Sequence, residues 1–120
     1  MIQYLNGTKD LVLTLSDNKT NILKWYVDAS YAVHNDMKGH TGAMLTMGNG
    51  CIIGKSIKQK MNAKSSTAAE LIGGDDVMTD LLWIGYFLKD QGYDNYKSIM
   101  MRDNKSCMLL EENGLLSSTK

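Results

Sequence analysis

Two apolar runs in this 120-residue chain each end on an aspartate, and a helical stretch lies between them. The first, KWYVDASYAV (residues 24–33), is β-prone: Trp25, Tyr26 and Val27 favour a pleated, largely buried surface. Asp28 follows where a central strand should still be buried, and a buried carboxylate needs a compensating partner. The second run, SIMMRD (98–103), ends on Asp103. A strand–helix–strand crossover makes two strands parallel neighbours. Asp28 and Asp103 are therefore expected side by side at one edge of a sheet.

The intervening stretch, residues 64–93, reads as one long helix. Leu71, Val77, Met78, Leu81, Leu82, Ile84, Gly85 and Leu88 recur at helical spacing. Ser66 or Thr67 is the expected cap, with Glu70 three residues after Thr67 at capping-box spacing. Gly73 and Gly74 weaken the helix by about 1 kcal/mol each, so the pair signals either close packing or a bend. Upstream, TGAMLTM and CIIGKSI flank Asn49-Gly50, the signature of a tight two-residue hairpin. HNDMKGHTG is turn chemistry, and DLVLTLS (10–16) reads as a short strand or the tail of a preceding element. NKSCMLLEENG (104–114) reads as a helix stopped by Asn113-Gly114. The order is that of one α/β domain over residues 1–120, with a hairpin feeding a sheet that later gains a parallel strand.

Composition excludes more than it assigns. A formal net charge of zero gives no global field towards nucleic acid or an anionic membrane, so any such role needs a local patch. GKSIKQKMNAK is the candidate, placing Lys55, Lys58, Lys60 and Lys64 close together. A solvated lysine-rich loop is the simpler account of the same residues. Cys51 and Cys107 lack the paired spacing of a disulfide framework or zinc site. Two reduced thiols are expected, and a Cys2His2 site with His34 and His40 is the weaker reading. The N-terminus has no signal-peptide pattern, and the longest apolar run, LLWIGYFL, falls far short of the roughly 20 residues that span a bilayer. The expectation is an intracellular protein with no membrane partner.

Glu70 lies in the first turns of the connecting helix and can lean towards the edge that carries Asp28 and Asp103. At about 4 Å and an effective dielectric near 20, each charged pair in such a cluster costs on the order of 4 kcal/mol. A shared proton, an arginine or divalent cations must compensate, and Arg102 is the chain's only arginine. An all-oxygen donor set favours Mg²⁺ or Mn²⁺, and two such ions support phosphodiester hydrolysis. Each residue also has a simpler account. Asp28 can bond turn amides at a strand end, Glu70 can complete a capping box, and Asp103 can cap the helix that follows. No glycine fingerprint supports a dinucleotide binder.

The stretches YLNGTKDLVLTL, YVDASYAVHNDMKGHTGAMLTMG, SIKQKMNAKSSTAAEL, LLWIGYFLKDQGY and MMRDNKSCMLLEENG, in this order, resemble the ribonuclease H domain of Ty1/copia-type LTR retrotransposon polyproteins. The resemblance implies a ribonuclease H-like fold, a mixed β-sheet flanked by helices, and hydrolysis of the RNA strand of RNA–DNA hybrids. It implies that Asp28, Glu70 and Asp103 match three of the family's four metal-binding carboxylates, with Asp28 bridging two Mg²⁺ (or Mn²⁺) ions. It also implies nucleic-acid contacts from Lys58, Lys60, Lys64 and Asn104, and the remainder of a reverse-transcriptase polyprotein as partner. Ala68 stands where the family often has an additional glutamate. The family's fourth carboxylate, last strand and last helix lie beyond a segment such as LLSSTK, so a C-terminally truncated domain is expected. The alternative function is therefore a catalytically inactive remnant with at most nucleic-acid binding.

Overall fold

Four strands of residues 22–101 form a mixed sheet in the computed structural model, which describes residues 1–17, 19–103, 105 and 107–109. In chain order the elements are α1 (Ile2–Gly7), β1 (Ser16–Asp17), β2 (Ile22–Ser30), β3 (His40–Thr46), β4 (Gly48–Asn49), β5 (Ile53–Lys58), α2 (Ser66–Asp90) and β6 (Lys97–Met101). The sheet order is β5-β3-β2-β6; β3 is antiparallel to both its neighbours, whereas β2 and β6 run parallel. The long helix α2 supplies the β2-to-β6 crossover, as its sequence position requires. No helix among the described residues is long and apolar enough to cross a membrane.

Period-two alternation decides which residues meet α2. Leu23, Trp25 and Val27 of β2 point to the helix, with Ala43 and Leu45 of β3, and together with Val77 and Ile84 of α2 they form the core. The opposite face of β2 carries Tyr26, Asp28 and Ser30, all exposed. Asp28 is thus not the buried strand residue that its apolar neighbours suggested. It belongs to the solvent face of an alternating strand whose inward positions are all apolar.

Three further expectations are corrected. Residues 11–15 form no strand, and of the 10–16 run only Ser16 pairs, in β1; Leu11, Val12, Leu13 and Leu15 are all exposed. The β3–β5 hairpin exists without a two-residue turn: Leu45 pairs with Ile53, and Gly48–Asn49 leaves the connection to pair with Ser16–Asp17. Among the described residues Gly50 has positive φ (83°) in that connection and Asn49 does not, so the type I′ geometry is absent. The cap of α2 is Ser65, whose side chain accepts the Ala68 N–H, rather than Ser66 or Thr67. Glu70 is then five residues beyond the cap and outside any capping box. The expected helix over 104–114 lies mostly outside the described residues; positions 105 and 107–109 are helical.

Trp25 is fully buried, yet its Nε1–H has no acceptor. Its contribution is therefore volume rather than hydrogen bonding. Trp25→Ala should cost about 3–5 kcal/mol, as large aromatic truncations in cores do. Trp25→Phe, which removes the orphan donor and keeps most of the volume, should stay within about 1.5 kcal/mol of wild type. Urea denaturation of the three proteins separates these outcomes; a Phe variant as weak as the Ala variant would refute the volume account.

Candidate metal centre

Asp28, Glu70 and Asp103 converge at the edge of the sheet where β2 and β6 end. Each offers a carboxylate oxygen, and these atoms all lie within 4.8 Å of one another. Among the described residues this is the only group of three or more Asp, Glu, His or Cys side chains arranged to hold a metal ion. Parallel pairing of β2 with β6, with Tyr26 opposite Met101, brings Asp28 and Asp103 together two residues further along each strand. The third carboxylate arrives from α2, inside the helix's first two turns.

The three are not equivalent. Asp28 and Asp103 are exposed, whereas Glu70 is only 5% exposed. Glu70 Oε1 accepts the Ala29 backbone N–H at 3.3 Å, and Oε2 is buried without a hydrogen-bond partner. Burial is the main force raising the Glu70 carboxyl above its ordinary value of 4.5; the Ala29 bond opposes it, the Asp28 and Asp103 charges add to it, and Arg102 opposes it. A buried carboxylate with one oxygen unsatisfied, facing two others, has the donor set and the charge deficit that a hard divalent cation satisfies.

Two glycines let α2 come close enough. A side chain at Gly73 would press on the Ala29 Cβ at 3.2 Å and on Thr41 at 3.5 Å, and one at Gly74 would occupy the place of the Arg102 guanidinium. The glycine pair thus serves close packing, the first of its two expected roles. Arg102 lies between α2 and β6, with its Nη1 donating to Cys107 Sγ at 3.1 Å. Both cysteines are free, as expected.

Sequence reasoning missed Gln59, which is 1% exposed. Its Nε2 donates to the Ala69 carbonyl at 2.8 Å and to Thr41 Oγ1 at 3.1 Å, while Thr41 Oγ1 donates to Asp76 Oδ2 at 2.8 Å. This chain ties the turn carrying Glu70 to β3 and β5. The only sequence signal for it was a glutamine at the end of an alternating strand, flanked by Lys58 and Lys60.

The lysine patch does not assemble as expected. Lys55 faces α2 and ion-pairs with Asp80, whereas Lys58 faces the other way and pairs with Asp36 at 2.8 Å. Strand alternation separates them, since an odd spacing reverses the face. Lys60 and Lys64 are exposed beyond β5. Asn104 lies outside the described residues. His34 and His40 do meet, but neither cysteine joins them: Cys51 Sγ donates to the Ile53 carbonyl and Cys107 sits at Arg102. A Cys2His2 site is therefore not formed. Beside the carboxylates the open face of the sheet has a depression of about 510 Å³, lined by Tyr26, Met44 and Met101 among others.

Comparison with known proteins gives a significant relationship. The chain is 31% identical over 116 residues to the retrovirus-related Pol polyprotein from transposon TNT 1-94 of Nicotiana tabacum. The match takes in 96% of the chain and 9% of that polyprotein's length. The chain is thus homologous to a segment of a retrotransposon polyprotein. No family model matches it, and no solved structure matches it significantly.

The buried carboxylate sets a pH signature. A carboxyl raised in the folded state stabilises the fold when protonated; that stabilisation is full below the ordinary value near 4.5 and is lost as pH rises through the folded value. In EDTA at pH 7, Glu70→Gln should therefore raise Tm by a few degrees, and the gain should vanish in acid. Mg²⁺ should stabilise wild type and not the variant. Thermal unfolding monitored by circular dichroism tests this, and a Gln variant less stable than wild type at pH 7 in EDTA would contradict it.

Proposed function

We propose that this chain carries the metal-binding carboxylates of a ribonuclease H-like nuclease that hydrolyses the RNA strand of RNA–DNA hybrids, within a larger reverse-transcriptase polyprotein. The observation that carries the reading is the convergence of Asp28, Glu70 and Asp103, with a buried and unpartnered Glu70 Oε2, in a homologue of a retrotransposon Pol segment. The mixed sheet with an α-helical crossover is consistent with a ribonuclease H-like fold.

In this reading Asp28, Glu70 and Asp103 hold two Mg²⁺ (or Mn²⁺) ions. Bound there, the ions supply a water nucleophile at neutral pH and neutralise charge on the leaving oxygen. The protein's part is placement. Glu70 is fixed by the Ala29 N–H and by the Gln59 tie to Ala69, so one carboxylate is rigid before any ion or substrate arrives. Asp28 and Asp103 stand exposed at the depression and can face a phosphodiester. Its volume is in the range of about 300–1,000 Å³ usual for ligand sites.

Substrate grip falls to few cations. Lys58 is neutralised by Asp36, whose carboxyl it holds below the ordinary value through their hydrogen bond. Lys60 and Lys64, exposed in the loop before α2, are left for phosphate contacts, with Asn104 as the further candidate implied by the family resemblance. Phosphate contacts of this kind give affinity without sequence preference.

Cleavage of an end-labelled RNA–DNA hybrid by the purified chain in Mg²⁺ or Mn²⁺ tests the proposal. Asp28→Asn should lower the rate by about 10²–10³, the loss typical of removing one group that stabilises transition-state charge. Lys60→Ala and Lys64→Ala should weaken hybrid binding and flatten its salt dependence, leaving the saturated rate nearly unchanged. Folded chain that binds hybrid without cutting it would favour the inactive-remnant reading instead.

A further inference from the structure

His34 and His40, which play no part in the carboxylate centre, are held with their ring nitrogens facing each other. His34 Nε2 lies 3.1 Å from His40 Nδ1, and the rings are 5.3 Å apart between centroids with planes inclined by 46°. On its other side, His40 Nε2 lies 2.7 Å from Ser56 Oγ. We propose that His34 and His40 form a chelating pair for a borderline divalent ion of the Zn²⁺ type, separate from the carboxylate centre.

A hydrogen bond between the two rings would explain the contact alone, but three features go beyond it. First, the two nitrogens are already at a separation that one ion bonded to each at about 2.0–2.1 Å requires, so binding needs no rebuilding of the backbone. Second, Ser56 can accept the His40 Nε2–H, which leaves the Nδ1 lone pair turned towards His34. A ligating imidazole is normally oriented in this way, through a hydrogen bond from its other nitrogen. Third, both histidines are fixed. His40 is in β3, between Ser30 of β2 and Lys58 of β5.

The turn that carries His34 is closed by bonds from the His34 N–H to the Lys38 carbonyl (3.2 Å) and from the Met37 N–H to the His34 carbonyl (2.8 Å). It is tied to the chain before α2 by Asn62, whose side chain donates to the Asp36 carbonyl at 3.1 Å. Met37 takes a positive φ of 60°, a conformation that costs a non-glycine residue and persists only where its surroundings impose it.

Donor chemistry separates this pair from Asp28, Glu70 and Asp103. Imidazole nitrogen suits Zn²⁺, Cu²⁺ and Ni²⁺, whereas an all-carboxylate set suits Mg²⁺ and Mn²⁺. Both rings bind as neutral imidazoles: His40 keeps its proton on Nε2, and His34 changes tautomer, its proton leaving the shared position on Nε2 for Nδ1 as the ion takes that place, so no net proton is lost. Lys58 and Lys38, the nearby cations, are engaged by Asp36. Solvent completes the coordination, so the affinity falls below that of a closed four-ligand site. The bound ion would clasp the turn of residues 31–39 to the β3–β5 hairpin.

Zn²⁺ titrated into the full chain in millimolar Mg²⁺, which keeps the carboxylates occupied by the harder ion, is the direct test. Calorimetry should give a saturable one-to-one isotherm, and nitrogen-detected NMR should move the ring resonances of both histidines. His34→Ala and His40→Ala should each abolish the isotherm. Ser56→Ala should weaken it about 10–100-fold, as loss of an orienting partner does, and Asp28→Asn should leave it intact. The ring resonances of wild type keep the test decisive even where a histidine variant folds poorly. Absence of binding, or binding that survives both histidine substitutions, would overturn the proposal; loss of binding in Asp28→Asn alone would assign the zinc to the carboxylates.

Discussion

The spacing between α2 and the sheet is the constraint from which the candidate site follows. Gly73 lies directly against β2 and β3, where a methyl group would already press on Ala29 at 3.2 Å. Glu70 is one turn earlier on the same face of the helix, and its carboxylate reaches the Ala29 N–H at 3.3 Å. A helix lifted to accommodate a larger residue would take that carboxylate out of reach of both the backbone and the two aspartates. The Gln59 tie holds the same turn from the other side, through the Ala69 carbonyl. Position along the helix axis and height above the sheet are thus set by different contacts, and Glu70 depends on both.

That placement works against the isolated fold. Glu70 is buried with one oxygen unpartnered and two carboxylates beside it, and the single guanidinium nearby offsets only part of the repulsion. Close packing over Gly74 is what lets Arg102 approach at all. A pairwise repulsion of order 4 kcal/mol at an effective dielectric near 20 is large beside a total stability of about 5–15 kcal/mol. Interior packing of Trp25, Leu23, Leu45 and Val77 must exceed that repulsion before any cation binds. Burial and like charge are brought together in this way at functional sites, and also in structural ion networks.

The parts of this arrangement that were legible in the sequence are those encoded by period. The β-prone run around Trp25 to Val27, the β-prone runs around Asn49-Gly50, the helical spacing from Leu71 to Leu88 and the apolar run into Asp103 each appear as the expected element, whereas the alternation that turns Asp28 to the open face was not read. The order strand–helix–strand then puts Asp28 beside Asp103, because a crossover must return parallel. What failed rested on single residues in competition with neighbours. Ser65 displaced Ser66 and Thr67 as cap, and Gly48–Asn49 was drawn into pairing with Ser16–Asp17. Local propensity cannot settle such competitions, since the deciding contact comes from elsewhere in the chain. Gln59, and the pairing of His34 with His40, depend on cross-strand register and left almost no local signal.

Register also explains why Asp28 and the core sit on opposite faces. Directly paired residues share a face, so Asp28, Gly42 and Ser56 form one row across β2, β3 and β5, and Ser30, His40 and Lys58 form the next. All six lie away from α2. The inward rows hold Val27, Ala43 and Leu45, whose burial sustains the sheet. The lysines show the same rule at work: one odd step along β5 sends Lys55 to Asp80 of α2 and Lys58 to the open face beside His40. Asp28 therefore does not interrupt a buried strand. Its exposed position leaves the core untouched, and only Glu70, which crosses from the packed side, brings the electrostatic load of the cluster into the interior.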